Sequence, residues 1–104
     1  MALMVTVISA KQELTRLGER LRLARLARDE PMAVFAQRIG ISVPTLRAME
    51  HGLETVAIKH WANALWVLDR LPDLAAVLEP KESVLDLARR AERPRRQRAS
   101  RRHV

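Results

Sequence analysis

Residues 31–52 constrain the fold more than any other part of the chain. Apolar residues recur there at helical spacing in two short runs, and Gly40 stands between the runs. Glycine enters the left-handed backbone region at little steric cost, so Gly40 is expected to end the first helix. Ser42 suits the N-cap of the second helix, and Gly52 suits its end. The pattern therefore predicts one helix over about 32–39 and a second helix between Ser42 and Gly52.

Two short helices joined by a turn of about four residues describe a helix-turn-helix. Pro31 suits the first position of the first helix, where its missing N–H would be unpaired in any case. A plain αα-hairpin that only packs a core has the same spacing. The pattern alone leaves the DNA-binding motif and the plain hairpin both open.

The rest of the chain up to Pro80 predicts three further helices, over about 10–28, 56–70 and 72–78. Gly18 inside the first is expected to let another helix approach closely. Residues 5–8 favour either a short β-strand or a frayed end, and residues 83–88 fit a helical turn or a strand. The residues of the first helix expected to face the core are Leu14, Leu17, Leu21 and Ala24. Those of the fourth helix are Ile58, Trp61, Leu65 and Leu68.

The net charge is concentrated at the C-terminal end. The chain carries a formal charge of +7; eight arginines and one glutamate follow Ala88, and residues 1–88 hold eleven basic and eleven acidic residues. This tail has no apolar period, so disorder is expected from residue 89 onward. It could contact DNA, contact an acidic patch of a partner, or stay solvated. The side chains concerned are Arg89, Arg90, Arg93, Arg95, Arg96, Arg98, Arg101 and Arg102.

Composition argues against several other classes of protein. The absence of cysteine excludes a disulfide framework and thiolate metal sites, and it fits a reducing cytoplasm. No apolar run approaches the roughly 20 residues that a membrane span needs. The three histidines lack metal-ligand spacing, and the three glycines form no phosphate-binding loop. We therefore expect a cytoplasmic protein that is no enzyme, holds no metal or cofactor and enters no membrane.

Several segments together resemble a known family. Four segments carry this resemblance: Phe-Ala-Gln-Arg-Ile-Gly-Ile-Ser at 35–42, Pro-Thr-Leu at 44–46, Met-Glu-His-Gly at 49–52 and the preceding helix at 17–25. Together they resemble the Cro-repressor-like (XRE) helix-turn-helix family. The resemblance covers about residues 14–80. A narrower similarity rests on Leu-Trp-Val-Leu at 65–68, the segment 74–80 and the Arg-rich tail. These are similar to the HipB-like antitoxin subgroup, whose members pair with HipA-like Ser/Thr kinase toxins.

The resemblance implies an all-α fold, a five-helix lambda-repressor-like domain over 10–80 that binds DNA and dimerises. The residues themselves predict a short extension over 1–9, as a strand or a frayed end, before this domain and a flexible basic tail over 81–104 after it. The resemblance also implies a homodimer that binds an inverted-repeat operator in double-stranded DNA, represses its own operon and engages a HipA-like kinase. The expected two-fold interface contains Trp66, Leu71, Leu74 and Leu78, although Trp66 is equally consistent with the core.

The second helix of such a motif presents its N-terminal residues to base edges in the major groove. Here these are Val43, Pro44, Thr45 and Arg47, of which only Arg47 can make the paired hydrogen bonds to guanine. The family often has polar residues where Val43 and Met32 stand, so direct readout is expected to be modest. The positions expected at phosphates are Arg25, Arg28, Met32, Ser42 and His51. Arg25 and Arg28 are equally consistent with a solvated face, and a histidine at the place of His51 is more often simply solvated. The alternative function is a protein-interaction adaptor that keeps the fold and binds DNA weakly without sequence preference.

Overall fold

The computed structural model describes residues 2–81 and 84–92, with the side chains of residues 2–6 and 84 left undescribed. This part of the chain forms six α-helices and no strand, which confirms the all-α class. The helices are α1 (Ala2–Ala27), α2 (Met32–Ile39), α3 (Val43–Glu50), α4 (Ile58–Val67), α5 (Leu71–Ala75) and α6 (Val84–Glu92). The predicted bounds of α2 are confirmed.

The core lies where the first four helices meet. α3 packs against α1 and α2, α4 packs against α2, and α5 packs against α4. The largest fully buried side chains are Phe35, Leu46 and Met49. Burying each such side chain contributes about 1.5–3 kcal/mol. The other buried apolar residues are Leu21, Ala36, Ile39, Ala64 and Leu68.

Two glycines let α1 cross the end of α3 at backbone contact distance. A Cβ atom on Gly18 would lie 2.5 Å from the carbonyl oxygen of Met49 and 2.7 Å from that of Glu50. A Cβ atom on Gly52 would lie 2.4 Å from the carbonyl oxygen of Leu14. The expectation that Gly18 permits close helix packing is confirmed. We call this contact the α1–α3 crossing.

The predicted start of the first helix is wrong. Neither the strand nor the frayed end left open for residues 5–8 is observed, because α1 begins at Ala2 rather than near residue 10. Valine and isoleucine favour strands mainly where a neighbouring strand packs against them. No such strand exists in the described chain, whereas extending an existing helix adds one hydrogen bond for each residue fixed.

The helices that follow α3 are shorter than predicted. α4 ends at Val67. Beyond it, Asp69 adopts a φ of 57°, and the N–H of the next residue, Arg70, donates to the Leu65 carbonyl at 2.7 Å. Aspartate tolerates this left-handed conformation better than most residues, so it ends the helix as a glycine would. α5 ends at Ala75 instead of residue 78. The predicted inward stripe of α4 fails at Ile58, which is 72% exposed.

The chain is helical again at α6. This resolves the ambiguity over residues 83–88 in favour of a helix for the described part, and it corrects the expected disorder at Arg89 and Arg90. Asp86 in the first turn and the two arginines in the last turn complement the helix dipole, which favours this helix. The arginines from Arg93 onward, with the disorder expected there, lie outside the described residues.

Candidate nucleic-acid interface

A three-residue turn holds α2 and α3 in a fixed relation. Gly40 adopts a φ of 85°, and its N–H donates to the carbonyls of Ala36 and Gln37 at 2.9 and 3.1 Å. The Ile41 N–H donates to the Ala36 carbonyl at 3.0 Å, and the Ile41 side chain packs against the core. These bonds satisfy the carbonyls at the end of α2. The orientation of α3 is therefore set by local backbone geometry as well as by the core.

The exposed N-terminal turn of α3 is capped by side chains. The Thr45 backbone N–H donates to Ser42 Oγ at 3.2 Å, and the two hydroxyl oxygens lie 2.9 Å apart. Ser42 is thus the N-cap that the sequence predicts, and Pro44 lies in the first turn. Pro31 occupies the N-cap position of α2, one residue before the position predicted for it.

α3 has one face in the core and one in solvent. Leu46, Met49 and Glu50 are buried. Pro44, Arg47 and His51 are exposed at spacings of three and four residues, which places them on one side of the helix axis. We call these three residues the α3 outer face.

The α3 outer face carries one fixed positive charge. In the described part of the chain, the Arg47 guanidinium has no hydrogen-bond or ion-pair partner. All five of its N–H donors are therefore open to a ligand. His51 Nδ1 lies 2.7 Å from the Arg47 carbonyl oxygen, so this ring is held at the end of α3.

Thr45 and Val43 lie at the edge of this face rather than on it. Both are half-buried, and Val43 packs against the core, as does Met32 at the start of α2. Because part of each apolar surface of Val43 and Met32 serves the core, these two residues offer less to a ligand than the sequence suggests. Of the residues predicted to contact bases, Pro44 and Arg47 are the most accessible.

The assignment of Arg25 to a phosphate contact is wrong. Arg25 is 7% exposed. Its Nε and Nη2 donate to the two carboxylate oxygens of Glu50 at 2.7 and 3.1 Å, and its Nη1 donates to the Glu30 carbonyl at 3.0 Å. The hydrogen bond with Glu50 raises the pKa of Arg25 despite the opposing effect of burial. Arg25 therefore links α1 to α3 by buried hydrogen bonds next to the α1–α3 crossing.

Arg28 also has a structural role that the sequence does not reveal. Its Nη2 donates to the Leu68 carbonyl at 2.8 Å, and its Nη1 reaches the Val67 carbonyl at 3.5 Å. These carbonyls close α4, where a cation is favoured by the helix dipole. Arg28 ties the ends of α1 and α4 together, and only its remaining N–H groups could meet a phosphate.

A pattern in the sequence could have located the buried ion pair. Arg25 lies four residues after Leu21, and Glu50 lies four residues after Leu46, so each charge falls on the inward stripe of its helix. Opposite charges on two inward stripes indicate a buried pair when the helices meet. Glu30 joins the same group of side chains, because Arg38 pairs with one of its carboxylate oxygens and the other oxygen is buried without a partner.

The residues predicted for the dimer interface are largely in solvent. Trp66 is 69% exposed and Leu78 is 97% exposed, so the alternative that places Trp66 in the core is wrong. Leu71 is 41% exposed, and Leu74 is half-buried. Val77, which the sequence analysis does not single out, is 62% exposed beside them in the chain. We call these five residues the α4–α5 apolar face.

Comparison of the chain with protein-family models, with curated proteins and with solved structures finds no match. Within residues 2–81 and 84–92, no group of three or more His, Cys, Asp or Glu side chains could hold a metal ion. In the same residues, no helix combines the length and apolar character needed to cross a membrane.

Proposed function

We propose that this chain is a sequence-specific DNA-binding transcriptional repressor of the Cro-repressor-like (XRE) family, acting in the cytoplasm and without catalysis. In this proposal α2 and α3 are the helix-turn-helix of a lambda-repressor-like domain built from α1 to α5. The observation that carries the proposal is the α3 outer face. It presents an unpaired arginine next to a capped, exposed helix N-terminus on a helix whose opposite face is fixed in the core.

Each accessible residue of α3 has a chemically suited part of DNA. The Arg47 guanidinium matches the O6 and N7 acceptors of guanine in the major groove. Pro44 has only apolar surface to offer, which suits a thymine methyl group. Ser42 and the Val43 N–H lie at the positive end of the helix dipole, where phosphate binding is favoured. We therefore expect each half-site of the operator to contain one guanine contacted by Arg47 and thymines next to it. The remaining sequence specificity would arise from DNA shape.

The α4–α5 apolar face supports the proposed two-fold dimer. So much exposed leucine, valine and tryptophan on one short stretch needs cover. A self-complementary patch would give a two-fold dimer, whose symmetry matches an inverted repeat. The tail arginines would then add phosphate contacts that carry no sequence information.

On the sequence resemblance we further propose that the protein is a HipB-like antitoxin. It would repress its own operon and bind a HipA-like Ser/Thr kinase toxin. A neighbouring gene for a kinase-like protein, and co-purification of the two products, would test this narrower proposal separately from DNA binding.

Arg47→Ala tests the assignment of the recognition helix. Loss of a paired guanine contact should reduce discrimination at one position of each half-site by about 1–3 kcal/mol, since no other charged side chain of α3 is exposed. The measurement is anisotropy binding to a set of singly substituted operators. Arg16→Ala is the matched control, because it removes an exposed arginine of α1 that pairs with Glu13 and lies outside α3. An unchanged base preference in Arg47→Ala would contradict the assignment of α3 as the recognition helix.

The adaptor remains as a second candidate because of one observation. The α3 outer face has a single fixed charge, whereas four of the five residues of the α4–α5 apolar face are exposed. An adaptor would bind a protein partner tightly and would bind all DNA sequences alike, with an affinity that falls steeply as salt rises. Equal binding of operator and scrambled DNA would favour it.

A further inference from the structure

The imidazole ring of His51 is held by the backbone of the preceding helical turn. The Arg47 carbonyl oxygen accepts from the His51 backbone N–H at 3.0 Å, and it lies 2.7 Å from Nδ1 of the His51 ring. A carbonyl oxygen only accepts hydrogen bonds, so Nδ1 carries the proton of this second bond. The hydrogen bond therefore fixes the tautomer of the neutral ring as well as its orientation.

The other ring nitrogen, Nε2, changes its chemistry with the charge of the ring. In the neutral ring, with the proton on Nδ1, Nε2 has a lone pair and can only accept a hydrogen bond. In the protonated ring, Nε2–H is a charged donor. A phosphate oxygen is negatively charged and accepts hydrogen bonds, so this ring can bind a phosphate only when it is protonated. Histidine is the side chain whose ordinary charge change falls between about pH 5 and pH 8.

His51 lies at the C-terminal end of the α3 outer face and is exposed. It follows Arg47 by four residues, which is about 6 Å along the helix axis on the same side of the helix. The α3 outer face thus combines one fixed positive charge with one titratable group. In the proposed complex the N-terminal residues of α3 meet base edges. A phosphate that borders the groove is the DNA group suited to a cation at the other end of the face.

The charges near His51 belong to its own helix and to the two helices that pack against it, α1 and α2. The carbonyls at the end of α3 favour a cation at this place, whereas the Arg47 guanidinium opposes a second positive charge. The preceding residue, Glu50, is buried and held by Arg25. The other charged side chains of α1 and α2 are Lys11, Glu13, Arg16, Glu19, Arg20, Arg22 and Arg38, and Glu54 follows in the loop.

These surroundings supply His51 with no anion from the described residues. Arg16, Arg22 and Arg38 are each paired with a glutamate. Within residues 2–81 and 84–92, no carboxylate pairs with the His51 ring. A bound phosphate would therefore be the first anion against this ring, so phosphate binding and protonation of His51 should each favour the other.

We infer that the His51 ring takes up a proton from solvent when the α3 outer face binds DNA, and that Nε2–H then donates to a phosphate oxygen of the DNA backbone. The inference rests on the proposed function and adds a titratable contact to it. DNA affinity should rise as the pH falls through the range in which histidine titrates. Uptake of one proton changes the binding constant by up to about tenfold for each pH unit.

Anisotropy titrations at constant ionic strength, at about pH 6 and about pH 8, test the inference in the full chain. The probe is DNA from upstream of the chain's own gene, which the intact chain should bind about tenfold or more tightly at the lower pH. His51→Gln cannot take up a proton and should lose most of this difference. His51→Arg is charged at both pH values and should bind equally at both. His60→Gln, at a half-buried histidine of α4, is the matched control and should keep the pH dependence.

The salt dependence is a second readout, which a merely structural histidine would not change. One more charged phosphate contact steepens the slope of log K against log salt by about 0.9. The intact chain should therefore show the steeper slope at the lower pH, and His51→Gln should show one slope at both. Circular dichroism at each pH checks that the exposed substitutions leave the fold intact.

Two results would overturn the inference, and they are distinguishable. If upstream DNA is preferred over scrambled DNA and His51→Gln keeps the pH dependence of the intact chain, the proton-linked contact is wrong and the proposed function stands. If the intact chain binds upstream and scrambled DNA alike at both pH values, the proposed function is wrong, and the inference is wrong with it.

Discussion

The α1–α3 crossing and the α4–α5 apolar face reverse the usual distribution of residue types. At the crossing an arginine and a glutamate are buried and paired, and glycines bring the two backbones together. At the α4–α5 apolar face Trp66 is 69% exposed and Leu78 is almost fully in solvent. A buried charge is tolerated only with its partners in place. The crossing is therefore completed within the described chain, whereas the apolar face is left in solvent, and the proposed dimer would cover it.

The largest expected effect comes from breaking the buried ion pair. Arg25→Ala leaves the Glu50 carboxylate buried without its two donors, which should cost about 3–5 kcal/mol of unfolding free energy. Urea denaturation measures the loss. Arg16→Ala, which breaks an exposed pair with Glu13, should cost about 1 kcal/mol or less. Similar losses in the two variants would show that the crossing does not depend on Arg25.

The double variant Arg25→Met, Glu50→Leu sharpens the first prediction. Replacing both buried charges with apolar side chains of similar length should recover most of the loss, because well-packed apolar replacements of such pairs are often neutral or stabilising. If the double variant recovers the unfolding free energy, the loss in Arg25→Ala comes from leaving Glu50 unpaired and not from a net stabilisation by the ion pair. A double variant as unstable as Arg25→Ala would contradict this account.

A methyl group at the crossing should have the next largest effect. Gly18→Ala puts a Cβ atom within 2.5–2.7 Å of backbone atoms, so α1 must move and about 3 kcal/mol should be lost. Gly40→Ala is the matched control. A Cβ atom added at Gly40 would meet no atom within 4 Å, so this variant should cost about 1–2 kcal/mol through the left-handed φ alone. Thermal unfolding compares the two, and a greater loss in Gly40→Ala would contradict the packing at the crossing.

Leu78→Gly should separate folding from association. Leu78 adopts a φ of 60°, which costs a leucine about 1–2 kcal/mol, and its side chain is in solvent. The glycine variant should unfold at the same or a higher temperature in dilute solution, yet it should dimerise more weakly in sedimentation equilibrium. Leu23→Ala, at an exposed leucine of α1, should leave the dimer unchanged. A Leu78→Gly dimer as tight as the original would remove Leu78 from the proposed interface.

The smallest effect on stability is expected at Arg47. Its side chain has no partner in the described chain, so Arg47→Ala should change the unfolding free energy by about 0.5 kcal/mol or less. The same variant should lose base preference, as proposed above. A large loss of stability would mean that Arg47 belongs to the fold rather than to the outer face.

The parts of the fold that local chemistry decides were predictable from the sequence. Gly40 and Ser42 each act through their own backbone or side chain, so the end of α2 and the start of α3 could be read directly. The end of α4 could not, because Asp69 takes a left-handed conformation that sequence patterns assign to glycine. The helix over residues 2–9 could not be predicted, because valine and isoleucine are compatible with a strand, a frayed end or a helix until their neighbours are known.

The candidate site was predictable in outline but not in the roles of its charges. Arg47 and Arg25 are chemically identical in the sequence. One lies in solvent and the other is enclosed by Glu50 and Glu30, and only the packing of α1 on α3 distinguishes them. The exposure of Trp66 is likewise a consequence of which face of α4 meets α2.

The most direct test of the proposed function is anisotropy binding of DNA from upstream of the chain's own gene against scrambled DNA, at low and near-physiological salt. The intact chain is compared with one that ends at Glu92, where α6 ends. We expect upstream DNA to bind more tightly than scrambled DNA by about 10³ or more, and the shortened chain to keep this preference with lower affinity. Equal binding of both DNAs, lost on shortening, would contradict it and would reduce the DNA contact to a polycationic tail.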